Sequence, residues 1–385
     1  MKLLRTLSPS ALLLAAIAGL PALPAAEHAS AHPASARVAM QSLDPAFFPD
    51  RVQFSWIENP RSTPTSAQAP RDFKESGTVR LLNPGPRPLV IREATLDGPF
   101  VFANPSAVTG QTVAAGQSLE VTVRFARDQY QPPAENPASG VFTGKLQVRA
   151  DGDAEAAVRS VALAGFWQAQ DENNWEPNIN EVWQVFGFAN FIPDVPREYH
   201  GPNNPLNKDS LYETCHPTEV LSPYWRIADG HQTAKITQIA AFHGPGGATV
   251  GIHAPGDKSA AAQIIFWNHR GDQNQTLLPL LEGPDGAFAT RSFDRGTIPE
   301  AWAGDGTFGI VVAGFSTDPT LNPGGDKKPG EQQRGHLTRL FKALDQNGQV
   351  IPHVYLGIQD YSGINYDYND NMFIIEGVEP AGAGR

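Results

Sequence analysis

Leu119-Glu120-Val121-Thr122-Val123-Arg124-Phe125 is the stretch on which the fold turns. Leu119, Val121, Val123 and Phe125 take every second place, and polar side chains fill the others. Successive side chains of an extended chain point to opposite faces, so this is a half-buried antiparallel strand. Gly144-Lys145-Leu146-Gln147-Val148-Arg149 repeats the device. Further strands are expected at residues 78–82, 88–93, 100–102 and 158–163, with Asn83-Pro84-Gly85, Asp97-Gly98 and Asp151-Gly152 as turns between runs. About seven short strands at this spacing indicate a β-sandwich.

Composition agrees with that reading. The chain has 385 residues, 36 Gly, 34 Pro and 18% charged residues, a turn-rich balance that suits β structure better than helix. With 41% hydrophobic residues it has material for a core in each of two domains. Lys2 and Arg5 precede an apolar run over residues 11–20, and small residues follow. This is the pattern of a secretory signal, cleaved after Ala31 at Ala29-Ser30-Ala31. Pro21 and Pro24 interrupt the run before it reaches the ~20 residues of a membrane span. No cysteine near the cleavage point supports a lipid anchor. The lone Cys215 excludes an intramolecular disulfide framework and a cysteine-rich zinc site. The net charge of −11 disfavours nucleic acid and anionic membrane as partners.

Residues 32–71 read as a Pro- and Ser-rich linker holding one strand, Val52-Gln53-Phe54-Ser55-Trp56. The first sandwich spans residues 72–168, and the polar stretch 169–178 links it to a second domain at 179–379, with 380–385 as a tail. In that domain Ile179, Val182, Trp183 and Phe186 share a helical stripe, which predicts one short helix at its start. Strand-like runs follow at 234–242, 248–253, 262–267, 306–315, 337–343, 354–358 and 372–375. The expected whole is all-β, an Ig-like sandwich followed by a jelly-roll-like one.

Two resemblances accompany this reading. Val79-Arg80-Leu81-Leu82-Asn83-Pro84-Gly85, the Gly116-Gln117-Ser118 turn and Val161-Ala162-Leu163-Ala164-Gly165 resemble Ig-like domains of the ASPM/SPD-2/Hydin type, with residues 129–139 as a surface insertion. Phe315-Ser316-Thr317-Asp318, Gly335-His336-Leu337-Thr338-Arg339, residues 345–352 and residues 367–373 occur in the order of a C-terminal β module of secreted bacterial surface proteins. That module often stands beside carbohydrate-related domains, so the resemblance implies an extracellular, glycan-associated setting. Leu337 stands where the pattern often has a basic or imidazole residue, which weakens a His336-centred site. Lys327, Lys328, Pro329 and Gly330 indicate a longer loop before it.

The chemistry concentrates in residues 359–371, Gln-Asp-Tyr-Ser-Gly-Ile-Asn-Tyr-Asp-Tyr-Asn-Asp-Asn. Asp360, Asp367, Asn369, Asp370 and Asn371 supply hard oxygen donors, the kind Ca2+ takes in sets of about six to eight. No Gly at the sixth position and no Glu at the twelfth follow an Asp start, so this is not an EF-hand. The same residues also suit a plain polar hairpin, because Asp and Asn bond their own backbone in turns. Either way the stretch is architectural.

Catalytic patterns are missing from the sequence. There is no His-Glu-x-x-His, and Gly314-Phe315-Ser316-Thr317-Asp318 lacks the second Gly of a nucleophile elbow. Gly244-Pro245-Gly246-Gly247 lacks the ending of a phosphate loop. Cys215 and His216 are adjacent, so on a strand they face opposite ways and form a poor dyad. Trp225, Trp267 and Trp302 are candidates to stack on sugar faces, with core packing as the competing role. The sequence therefore points to an exported, non-catalytic binding or structural surface protein, secreted or periplasmic, with a calcium-stabilised second domain and a glycan or surface protein as partner. The alternative is a secreted polysaccharide hydrolase using carboxylates of the C-terminal domain.

Overall fold

In the computed structural model the described residues are 38–44, 47–57, 72–105, 108–126, 139–151, 158–168, 175–195, 205–206, 213–243, 247–269, 275–281, 283, 286–322, 335–361 and 367–382. The leader with its cleavage site, the loop around Lys327–Lys328, most of the 129–139 insertion, and Gly363 and Asn365 of the acidic stretch lie outside them.

Among the described residues the first sandwich has ten strands. They are β1 (Ala39–Ser42), β2 (Arg51–Ile57), β3 (Asp72–Lys74), β4 (Ser76–Leu82), β5 (Leu89–Leu96), β6 (Phe100–Phe102), β7 (Thr112–Val113), β8 (Ser118–Phe125), β9 (Ser139–Ala150) and β10 (Arg159–Gln168). One sheet runs β1-β4-β8-β6 and the other β3-β2-β10-β9-β5-β7. The alternation read at residues 119–125 is realised, since Val121, Val123 and Phe125 are buried while Glu120 and Thr122 are exposed. They meet Val79, Leu81, Phe54, Leu146, Val148 and Val161 in one core. Residues 39–57, placed by sequence in the linker, contribute two strands to this sandwich. β1 pairs with β4, and β2 lies parallel to β10. The local pattern shows a strand at 52–56, but a parallel partner more than a hundred residues away leaves no local signal.

Helix α1 (Ile179–Phe186) follows, as the stripe predicts. Asn178 caps it, accepting from the Glu181 amide, while the Glu181 side chain accepts from the Asn178 amide. This reciprocal pair satisfies donors that the first turn leaves free. Gly187 ends the helix at φ 91°, the left-handed conformation that suits glycine.

The second unit contains β11 (Trp225–Ile227), β12 (Thr233–Phe242), β13 (Thr249–His253), β14 (Gln263–Asn268), β15 (Gln275–Leu277), β16 (Thr290–Asp294), β17 (Gly309–Val312), β18 (Phe315–Ser316), β19 (Thr338–Leu344), β20 (Val350–Gln359), β21 (Asn371–Glu376) and β22 (Val378–Pro380). Its larger sheet is β15-β12-β21-β20-β19, with β16 also on β12, and its smaller sheet is β14-β13-β17-β18. The run expected over 306–315 is in fact a hairpin, β17 and β18, turned by Ala313 and Gly314 at positive φ.

The continuous apolar run Met372-Phe373-Ile374-Ile375 shows how the larger sheet is placed. Phe373 and Ile375 face the smaller sheet with Ile236, Ile252, Phe308 and Ile310. Met372 and Ile374 face the other way, onto Val182, Trp183 and Phe186 of α1 and onto Ile57, Ala164 and Phe166 of the first sandwich. A strand buried on both faces reads as an unbroken apolar run rather than an alternating one. Residues Ala36–Arg385 thus form one compact unit. Among the described residues no helix is long and apolar enough to cross a membrane.

Candidate metal centre

The β20–β21 hairpin closes where Gln359 pairs with Asn371. Asp360 leaves β20 there, and Asp370 precedes β21. Ligand oxygens of Asp360, Asp367 and Asp370 all lie within 4.8 Å of one another. Two oxygens bound to one Ca2+ at about 2.4 Å can be no farther apart than about 4.8 Å, so one ion can bridge all three. Asp360 and Asp367 are buried, at 1% and 2% exposure, and Asp370 is partly exposed.

Backbone from several elements holds these acids in place. The Asp360 amide donates to the Leu337 carbonyl at 2.9 Å, and the Asp370 carbonyl accepts from the Phe242 amide at 3.1 Å. Within the hairpin, the Tyr361 amide donates to Asp370 Oδ2 at 2.5 Å and the Tyr368 amide to Asp360 Oδ2 at 3.3 Å. Asn369 turns its Nδ2 to the Pro177 carbonyl, 2.9 Å, and to Glu176 Oε2, 3.4 Å. Its amide carbonyl Oδ1 therefore points away from that segment, and it is buried without a hydrogen-bond partner among the described residues.

Burial, then the charges of Asp360 and Asp367, push the Asp370 carboxyl well above the usual carboxylate range, and Glu176 adds to this. The Tyr361 amide works in the opposite direction. Like charges so close in a desolvated site disfavour one another's ionised form, and either a proton or a cation relieves them. The donors are carboxylates and an amide carbonyl, a hard oxygen set.

Tyr368 sits at φ 61°, a left-handed conformation that is strained for an aromatic residue. Its hydroxyl donates to the His336 carbonyl at 2.8 Å, and the Arg339 guanidinium lies 5.3 Å from its ring centre. Arg339 in turn binds Glu219 at 2.7 Å, both side chains 1% exposed, and donates to the Leu206 carbonyl. A buried ion pair thus props the strained residue that carries Asp367 and Asn369 on either side. Backbone strain of this kind gathers at ligand clamps.

Of the residues named from sequence, Asp360, Asp367 and Asp370 come together, and Asn369 stands in the chain between Asp367 and Asp370. Asn371 does not act with them. Its Oδ1 accepts from Gln238 at 2.7 Å and its Nδ2 donates to Gln359, so it belongs to an amide ladder across the sheet end. Trp267 joins the same ladder through Nε1 to Gln238 Oε1 at 3.3 Å and is buried. Trp225 is 0% exposed and packs edge-on to Tyr355 at 4.7 Å. Neither ring has a free face, so the sugar-stacking role expected of Trp225 and Trp267 gives way to core packing. Trp302 is partly buried against that core.

The His216 Nδ1 lies 2.8 Å from Thr218 Oγ1, and burial lowers its pKa. Burial, with Glu219 adding and Arg339 opposing, pushes the Cys215 thiol up to about 12. With so little thiolate, native Cys215 is expected to react with iodoacetamide at pH 8 about a thousandfold more slowly than in the unfolded chain. A native rate within tenfold of the unfolded one would contradict the burial that sets this shift.

Several groups take roles that their sequence context does not signal. Glu176, Tyr368 and Arg339 matter through distant contacts. His243 and His269 are buried with Nε2 atoms 2.9 Å apart, and the His243 ring lies 6.0 Å from Tyr361. His253 Nε2 is 2.6 Å from Ser316 Oγ, while its Nδ1 meets the Ala254 carbonyl. This resembles a hydrolase pair in geometry, but both residues are sealed at 1% exposure or less, and Ser316 Oγ also accepts the Asp318 amide. One cavity of about 180 Å³ opens beside Val220, Pro223, Pro319 and Arg339, and a second of similar size beside Phe47, Ile239 and Phe288. The three aspartates line neither.

No protein-family model matches the chain, and no curated protein matches it. Solved structures with partial likeness include the periplasmic chaperone SfaE, at 10% identity and TM-score 0.23, over 36% of this chain and 60% of the chaperone. The YadV chaperone shows 12% identity and TM-score 0.22, over 82% of this chain and 96% of its own. A family 123 glycoside hydrolase from Clostridium perfringens shows 11% identity and TM-score 0.22, over 37% of this chain and 28% of its own. The chain thus spans less than two thirds of SfaE and of the hydrolase, and likenesses this slight carry no argument about function.

Proposed function

We propose that the chain is an exported, non-catalytic structural or binding protein whose second sandwich is fastened by a calcium ion held by Asp360, Asp367, Asp370 and the Asn369 carbonyl. The observation that carries this is the convergence of three carboxylates within 4.8 Å of one another, two of them buried. Glycosidase carboxyl pairs stand about 5–10 Å apart on either side of an open cleft, and this cluster is tighter, with Asp360 and Asp367 buried and Asp370 partly exposed. Its oxygens gather at the root of a hairpin, where an ion fixes the approach of β21 to its neighbours. Export rests on the N-terminal signal pattern, and the first sandwich serves as a spacer. A surface protein or a glycan is the partner class, reached through surfaces other than Trp225 and Trp267.

Thermal unfolding in calcium and in EGTA tests the proposal. A ligand that binds only the folded state stabilises it by about 2.7 kcal/mol at a hundredfold excess over Kd, which for a chain of this size is roughly 4 °C in Tm. Asp367→Asn is expected to abolish the rise. An unchanged Tm at millimolar calcium would remove the metal from the account.

A further inference from the structure

Resting on the calcium reading, we infer that ion binding at the hairpin also locks the junction between the two sandwiches, through a buried strap of four side chains. Gln168 is the last residue of β10 in the first sandwich, and its Nε2 donates to Gln275 Oε1 on β15 of the second. Gln275 Nε2 donates to Glu176 Oε1, in the segment that joins the sandwiches. Glu176 Oε2 receives Asn369 Nδ2, and Asn369 stands between Asp367 and Asp370. Exposures along the strap are 0%, 4%, 4% and 0%.

The strap crosses an apolar junction in which Phe166 packs edge-on to Phe242 at 6.2 Å and Ile57 shares a core with Leu277 and Met372. Buried amides in such surroundings hold one another in fixed positions, because a partner lost there is not replaced by water. The ion sets where Asn369 stands, since it draws Asp367 and Asp370 together on either side. Asn369 then presents its Nδ2 to Glu176 and Pro177 and so fixes the linker. Without the ion, the carboxylates repel, the 367–370 segment relaxes, and Glu176, Gln275 and Gln168 lose the end of their chain. Glu176 is a positioning residue here: it joins Gln275 to Asn369 within the strap.

The test is amide hydrogen exchange of the full chain in millimolar calcium and in EGTA, read by mass spectrometry, with calorimetric calcium titration alongside. Peptides covering 163–168, 175–178 and 275–277 are expected to exchange about tenfold more slowly in calcium, as a locally opened junction would require. Gln275→Leu cuts the strap without touching the aspartates. It should still bind calcium but lose the protection at 163–168. If calcium binds the wild type and exchange at 163–168 is the same in both buffers, the strap is overturned and the calcium site stands. If calcium does not bind at all, both readings fall. The wild-type comparison decides the matter even if the variant fails to fold.

Discussion

Arg339→Ala is expected to destabilise the protein by ~3–5 kcal/mol, the usual cost of stranding one half of a fully buried ion pair. Glu219 would be left as an unpaired carboxylate, its other oxygen already taken by the Cys215 amide at 2.6 Å. The Leu206 carbonyl would lose the bond from Arg339, and the Tyr368 ring would lose the cation above it. Burial alone would depress the pKa of Arg339, but interaction with Tyr368 and Glu219 overcomes it, so the guanidinium is charged at every working pH and the loss does not depend on buffer. Urea denaturation measures the effect. The paired variant Glu219→Leu with Arg339→Met removes both charges at once and should recover most of the stability, because an apolar pair can replace a buried ionic one. A loss below about 1 kcal/mol in Arg339→Ala would mean that the pair is solvated, contrary to its 1% exposure.

The same variant should weaken calcium binding, because Tyr368 is held in its strained conformation from the Arg339 side. That link explains why the site was only half legible in the sequence. Asp360, Asp367, Asn369 and Asp370 are neighbours in the chain, and a dense set of oxygen donors shows without any tertiary knowledge. Glu176 is almost two hundred residues away from Asn369 and joins through folding alone. Asn371 carries the same chemical signal as Asn369, yet its place opposite Gln359 in the ladder assigns it to the sheet. The aromatic residues mislead for a related reason: a Trp on a strand between two sheets and a Trp on an open face look identical in one dimension.

The fold is more fully legible, because it rests on periodicity. β8, β12, β13, β19 and β21 stand within a residue or two of their expected bounds, and α1 occupies its stripe. What escaped are short strands whose pairing supplies their extended form: β1, β3, β7, β11, β15, β16 and β22. Each is two to five residues long and carries too few side chains for a pattern.

Asp370→Asn is expected to reverse sign with the buffer. In EGTA the wild-type Asp370 carboxyl has a folded pKa raised above its unfolded value of about 3.9. Between those two values the folded state binds more protons than the unfolded one, so stability falls as pH rises through the window and stays low above it. The isosteric amide removes the repelled charge. The variant should therefore melt above the wild type in EGTA at pH 7.5 and show a flatter pH dependence. In millimolar calcium the order should invert, because the variant has lost one of three charged ligands while the wild type gains the ion. A site that is only a polar turn predicts no inversion, since calcium would then leave both melting curves where they are.

Calorimetric titration of calcium into the full chain and into Asp367→Asn at pH 7.5 tests the central claim most directly. The account predicts one ion bound per wild-type chain and no binding heat at this site in the variant. No heat in either protein, or the same isotherm in both, would show that the three aspartates hold a hairpin together without a metal.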